Sequence, residues 1–422
     1  MCDILVATPR ATEKGIMIFA KNSDREPNEA QILEFIPRMK HEDEKVKLTY
    51  VEFSQVRETY AVLLSRPWWM WGAEMGANEF GLAMGNTAVF TKLKVSQRGI
   101  TGMDIIRLAL ERTKTSREAL EFIVSLIENY GQGGNGSYRH KLFYHNSFII
   151  ADPREAWVLE TAGRHWVAKK VNAVYSISNA LTIEDEWDLA SDSVERLSKK
   201  ANFSFARYFS DKFYTHFAHG RERRAFTYKK LREAEGEITL EYMMEILRSH
   251  QREPFEPANG SMKDICMHYG GLTRPSQTAS SQISELRKSL STHWFTGTSL
   301  PCLSIFKPMF FDGTFPDLGE APTDKYNPKS YWWRFEAFHR RFQTNYRTYF
   351  HEFSKDRDAI QARIIERERE LRDKKSKELT LWAFEEERKL MEKWEGIIEE
   401  GKLPFLYGRN WKKVNEEAGV QK

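Results

Sequence analysis

Cysteine is scarce in this chain, with three in 422 residues: Cys2, Cys266 and Cys302. An odd number at such wide spacing argues against a disulfide framework and suits a reducing compartment. Long apolar runs are also missing. No stretch approaches the roughly 18 apolar residues of a membrane span, the mean hydropathy is −0.60, and the start of the chain lacks the basic-then-apolar pattern of a secretory signal. The expectation is a soluble, cytoplasmic protein with no membrane partner. Charge of one sign is equally lacking: 64 basic residues face 60 acidic ones, for a net charge of +4. Bulk charge therefore gives no case for nucleic acid. A phosphate loop is excluded as well, because Gly131, Gly133, Gly134 and Gly136 follow no strand and precede no lysine–serine pair. No motif calls for a cofactor.

The chemistry that is present sits at the start. Should Met1 be removed, as ordinary trimming before a small residue would do, Cys2 carries a thiol nucleophile and a free α-amine on one residue. Such an amine titrates near ~7.7–8.0 and a thiol near ~8.5, so modest local effects set one as proton acceptor and the other as thiolate. The alternative is that Cys2 only opens an apolar strand. The next apolar run, Ile16–Ala20, ends in Lys21, Asn22 and Asp24. Antiparallel to the first strand, it brings those polar groups back to the start of the chain. A carboxylate orients an amine that must take and return a proton, and a cation stabilises a thiolate; Asp24 and Lys21 suit those roles.

Along the chain, Gln31–Ile36, Lys47–Phe53, Tyr60–Ser65 and Gly81–Asn86 read as strands,. The tryptophan-dense stretch 67–72, with Trp71, serves either packing or a pocket wall. Thr101 with Asp104 and Thr115 with Glu118 announce two helices by capping boxes. Strand patterns return at Phe148–Ala151, Ala156–Thr161, His165–Ala168 and Val174–Ser178, helices over 186–250, and short strands at Ile265–Tyr269, Gln282–Leu286, His293–Thr298 and Leu303–Phe306. Strands and helices alternating in such blocks are what two facing sheets covered by outer helices give. Beyond Pro322 the chain is aromatic and then charged, with i,i+4 pairs such as Glu370 with Lys374 and Glu385 with Lys389,. A narrow apolar seam there is a surface for packing on the sheets or on a second copy of the chain, so these residues should serve stability or assembly.

Several stretches carry a resemblance: MCDILVATPRAT, GIMIFAKNSDREPNEAQ, WGAEMGANEFGLAMGNTAV at 71–89, EAWVLETAGRHWVAKKV at 155–171, YSISNALTI at 175–183, ICMHYGGLTRPSQTASS at 265–281, HWFTGTSLPCLSIFKPMFF at 293–311 and, more loosely, YWWRFEAFHRR at 331–341. The chain resembles the secernin-like dipeptidases, a branch of the N-terminal-nucleophile (Ntn) hydrolases related more distantly to penicillin V acylase and the conjugated bile acid hydrolases. The resemblance implies an α+β fold, an αββα four-layer sandwich of two antiparallel sheets. The domain would span 1–320, with 321–422 as a helical extension.

It also implies catalytic roles for Cys2, Lys21 (where the distant relatives carry arginine), Asp24, Asn86 as oxyanion donor and Asn179 as orienter. For each asparagine the alternative is a turn residue capping a strand. Trp71, Asn78 and Arg274 are candidates for substrate binding. Cys266 and His268 stand two apart and read as a buried pair, because the sequence offers no second half to close a zinc set. The implied activity is a cysteine-type amidohydrolase cleaving a small peptide or amide. An acylase or acyltransferase on a non-peptide amide, and a non-catalytic binding protein, are the alternatives.

Overall fold

Residues 1–371 and 377–420 are described by a computed structural model of the chain. Among them, strands and helices form the expected four layers. One sheet has six strands in the order Val174–Ile177, Cys2–Ala7, Met17–Arg25, Gln277–Leu286, Thr292–Phe295 and Lys307–Met309. The other has eight: Leu189–Ala190, His165–Lys170, Ala156–Ala162, His145–Ala151, Ala83–Val89, Met75–Asn78, Val62–Pro67 and Gln31–Ile36. Neighbouring strands are antiparallel throughout both sheets.

Strand parity sorts the side chains into layers. Ile4, Val6, Met17 and Phe19 point between the sheets and meet Ala83, Val89, Ile149 and Val158 of the other sheet. The alternate residues Leu5, Ala7, Ile18 and Ala20 face outward onto Leu240, Met243, Met244 and Leu247 of the helix Leu240–Arg248. On the far side the helices Gly102–Arg112 and Ser116–Tyr130 cover Met84, Phe148, Ile150 and Leu159. Both begin where their caps place them. Thr101 and Asp104 form a reciprocal capping box, and the Thr115 hydroxyl accepts from the Glu118 amide.

Some strand expectations are overturned. Lys47–Phe53 is a hairpin of Lys45–Lys47 with Glu52–Ser54. Ile265–His268 and Leu303–Phe306 are buried and Tyr269 is half-buried, but neither stretch belongs to a sheet. Their amides go elsewhere: Cys266 N to the Ser249 carbonyl, Met267 N to the Thr278 hydroxyl, Ile305 N to Glu387 and Phe306 N to Gln361. An apolar run signals burial, and these three side chains and one carbonyl supply the partners that a neighbouring strand would otherwise give.

The C-terminal helices are not a loosely attached arm. Ile364, Ile365, Leu379, Ala383, Leu390, Met391 and Trp394 share one core with Trp294, Cys302 and Phe306, so a chain ending at Ser354 would be cut through that core. Fully buried Lys307 donates to fully buried Glu387 at 2.5 Å. Lys374 lies outside the described residues. Lys389 pairs with Glu386 at 3.1 Å, while Glu385 faces Arg388 at 3.5 Å. No helix among the described residues is long and apolar enough to cross a membrane.

Candidate active site

The hairpin of the first two strands brings Cys2 opposite Ser23 and Ile4 opposite Lys21. Cys2, Lys21 and Asp24 are all buried. Parity again separates their side chains. Lys21 follows Met17 and Phe19 into the space between the sheets, with the Cys2 thiol, whereas Asp24 lies on the helix-covered face with Asn22, whose amide reaches the Leu247 carbonyl,.

Between the sheets, Lys21 Nζ donates to the Asn86 carbonyl at 2.8 Å and lies 3.6 Å from Glu74 Oε2. The Cys2 thiol donates to the same carboxylate oxygen at 3.7 Å. Arg25 Nη1 holds the other Glu74 oxygen at 2.9 Å, and its Nη2 pairs with Glu29. Burial pushes the Cys2 thiol up, and the Lys21 ammonium is the largest charge opposing that rise. Burial by itself would depress Lys21, yet the Cys2 and Glu74 charges hold it above its ordinary value. Glu74, pushed up by burial, is held below its ordinary value by Arg25 and Lys21. The result is an ion cluster matched in sign around one thiol.

The Lys21 side chain reaches Glu74 by crossing Gly85: a Cβ there would stand 2.6 Å from Lys21 Cδ. Gly85→Ala should therefore displace the ammonium. The expected outcome is a folded protein whose Cys2 thiol pKa, read from the pH dependence of alkylation, rises while hydrolysis falls. Unchanged alkylation would show that Lys21 does not act on the thiol.

The Cys2 main-chain nitrogen donates to Asn179 Oδ1 at 3.1 Å, and Asn179 Nδ2 donates to Thr87 Oγ1 at 3.0 Å and to the Ala88 carbonyl at 2.9 Å. Asn179 is thus clamped with its oxygen toward Cys2. A second donor secures it: Arg223 Nη2 reaches the same oxygen at 2.6 Å, while Arg223 Nε lies 3.1 Å from both Asp3 oxygens. Met1 occupies the space beyond. Its ammonium donates to the Asp24 carbonyl at 2.7 Å and its carbonyl accepts from the Asp24 amide at 2.7 Å. Asp24 Oδ1 accepts from Thr278 at 2.7 Å, and Asp24 Oδ2 is buried without a partner. Burial pushes the Asp24 carboxyl up to about 6, against the pull of the N-terminal ammonium.

Cys2, Lys21, Asp24 and Asn179 thus converge. Asn86 touches the site differently from its expected part as an oxyanion donor: its carbonyl binds Lys21, while its side-chain Nδ2 is committed to Asn146 Oδ1 at 2.9 Å. The three substrate-binding candidates bond to other partners. Asn78 ties a turn to the end of a helix through the Leu110 and Thr113 carbonyls. Trp71 lies under the Arg107 guanidinium at 4.2 Å, and Arg274 braces a loop through the His268 and Pro257 carbonyls. Glu74, Arg25 and Arg223 were missed. The first two stand inside the quoted motifs, where their acid and base character was legible; Arg223 sits in the run RERR, which reads as a solvated helix face.

Fold and site together define an αββα sandwich with a cysteine at the head of a central strand and a buried lysine–glutamate pair beside its thiol. Residues 72–232 match the model of Peptidase family C69. A dipeptidase of Bifidobacterium longum (strain NCC 2705) is 30% identical over 142 residues, which is 28% of this chain and 24% of that protein. The match thus spans about a quarter of that relative's length. Similar solved structures include a mutant conjugated bile acid hydrolase from Clostridium perfringens (14% identity, 75% of this chain and 94% of that one, TM-score 0.43). Penicillin V acylase from Agrobacterium tumefaciens is another (11% identity, 74% and 87%, TM-score 0.43).

Proposed function

We propose that the protein is a cysteine-type amidohydrolase that cleaves dipeptides, with Cys2 as nucleophile once the Met1–Cys2 bond has been cut. The observation that carries this reading is the pairing of a buried thiol, set beside Lys21 and Glu74, with a main-chain nitrogen held on Asn179 Oδ1. As an amide that nitrogen has no usable lone pair; as an α-amine it accepts a proton. The amine takes the thiol proton, Lys21 stabilises the thiolate, and sulfur attacks the substrate carbonyl. Collapse of the tetrahedral adduct breaks the C–N bond, and the leaving amine takes the proton back from the Cys2 ammonium. Water then adds to the thioester, and Cys2 is released.

A peptide substrate is supported by Met1 itself. Met1 is a residue with a free ammonium and a carbonyl, and both are bonded to the Asp24 main chain. Its departure leaves an Asp24 amide and carbonyl of the spacing that another amino-terminal residue would fit. The B. longum relative named a dipeptidase is consistent with that frame.

Asp24, facing the N-terminal ammonium, Asp3 and Arg223, orients the amine in its ionised form. With its carboxyl pushed up by burial, kcat/KM on a dipeptide should fall as pH drops and this carboxyl takes up its proton. In Asp24→Asn the component of that limb due to the carboxyl should vanish from an already low rate, leaving only the limb set by the Cys2 amine. An acid limb of unchanged shape in the variant would remove Asp24 from the account. The stability linkage has the opposite sign. The native value lies above the ordinary 3.8, so the contribution of this carboxyl is present below 3.8 and lost as pH rises through about 6,.

A further inference from the structure

The sequence shows Cys266 and His268 as half of a possible ligand set; the structure brings up the other half. His250, just past the helix Leu240–Arg248, and Cys302, in the turn after Thr298, converge on them. The four ligand atoms all lie within 4.8 Å of one another. His268 Nε2 is 3.3 Å from His250 Nε2, 3.3 Å from Cys302 Sγ and 3.8 Å from Cys266 Sγ.

Hydrogen bonding does not account for that convergence. An imidazole Nε2 has either one proton or one lone pair, so it satisfies one of the three neighbours and leaves the others pressed against it. A cation does account for it. Tetrahedral zinc, with bonds of about 2.0–2.1 Å to nitrogen and 2.3 Å to sulfur, sets its ligand atoms roughly 3.3–3.8 Å apart. Two thiolates and two neutral imidazoles neutralise and saturate such an ion.

We propose that His250, Cys266, His268 and Cys302 bind one zinc ion in a structural site. All four positions are protein ligands, so no place remains for substrate. The supporting contacts suit that role. The Tyr346 hydroxyl donates to Cys302 Sγ at 3.8 Å, and Arg357 binds the Cys302 carbonyl. The site also leads to the candidate active site without belonging to it. Met267 N, between two ligands, donates to Thr278 Oγ1 at 3.0 Å, which donates to Asp24 Oδ1 at 2.7 Å. Asn22 Nδ2 donates to the Ile265 carbonyl at 2.9 Å. The ion would pin the 250–268 segment and the 300–304 turn to the strand that carries Lys21 and Asp24.

The test is metal content of the full-length protein, purified under reducing conditions without chelator and measured by inductively coupled plasma mass spectrometry. About one equivalent of zinc per chain is expected, and cobalt chloride added to the chelator-stripped protein should give the intense visible bands and thiolate charge-transfer absorption of a tetrahedral S2N2 site. Cys266→Ser and His250→Gln should each lose most of the bound metal, whereas Cys2→Ser should keep all of it. Wild-type metal content decides the matter if the ligand variants fail to fold. Wild-type protein without zinc that takes up neither zinc nor cobalt would overturn the proposal, as would a Cys266–Cys302 disulfide trapped by alkylation in place of metal. None of these readouts depends on hydrolysis, so they stand apart from the Cys2 reading.

Discussion

Cys2→Ala should reduce dipeptide hydrolysis by at least about 10⁴-fold, the scale seen when a covalent nucleophile is removed from a complete site. Its fold should survive, since only a sulfur atom is lost. Cys2→Ser should fall close behind, because a hydroxyl near this amine is a far poorer nucleophile at neutral pH. The same serine change at Cys266 or Cys302 leaves the nucleophile in place; hydrolysis per folded molecule should then stay within reach of wild type, the loss appearing as metal content and thermal stability. Rates are to be compared on protein verified as folded by circular dichroism. Hydrolysis by Cys2→Ala within tenfold of wild type would remove the thiol from the reaction.

The second large effect concerns Glu74. It is 2% exposed and is the carboxylate partner of fully buried Lys21. Glu74→Ala leaves that ammonium with the Asn86 carbonyl and the Cys2 thiol but no carboxylate of its own, while Arg25 keeps Glu29. Breaking a buried pair by removing one partner typically costs about 3–5 kcal/mol, and urea denaturation should show a loss of that order. The double change Lys21→Met with Glu74→Leu removes both charges and should recover most of the stability while remaining inactive. Its recovery would separate the energetic role of the pair from its chemical one. A Glu74→Ala protein as stable as wild type would mean that Lys21 is not held as a buried ion.

What could be read from the sequence follows from the range of the interactions. The first hairpin is local: an apolar strand, a turn and a second strand ending in polar residues place Lys21 and Asp24 near Cys2, and the ladder has Cys2 opposite Ser23. The helix starts at Thr101 and Thr115 are local too, since a cap is satisfied within three residues,. Asn179 came through the resemblance, and its clamp on the Cys2 nitrogen appears only when the two ends of the sheet meet. Glu74, Arg223, His250 and Cys302 owe their parts to partners distant in the chain, so no window of sequence contains both members of any pair. Lys307 with Glu387 illustrates the same point: the charged C-terminal helix reads as solvated, yet Glu387 is fully buried because its partner lies on a sheet strand. Ile265–Tyr269 failed as a strand because its apolar residues report burial and not the ladder partner, and the site it builds is one of irregular backbone.

The central claim is that Cys2, freed of Met1, forms the acyl-enzyme. Intact-mass analysis of wild-type protein quenched in acid during turnover of a slow dipeptide ester, followed by peptide mapping, tests it most directly. The account predicts a chain beginning at Cys2 that carries the acyl group on its N-terminal peptide and loses it on standing. A catalytically active chain that retains Met1, or an acyl group mapped to any other residue, would contradict it.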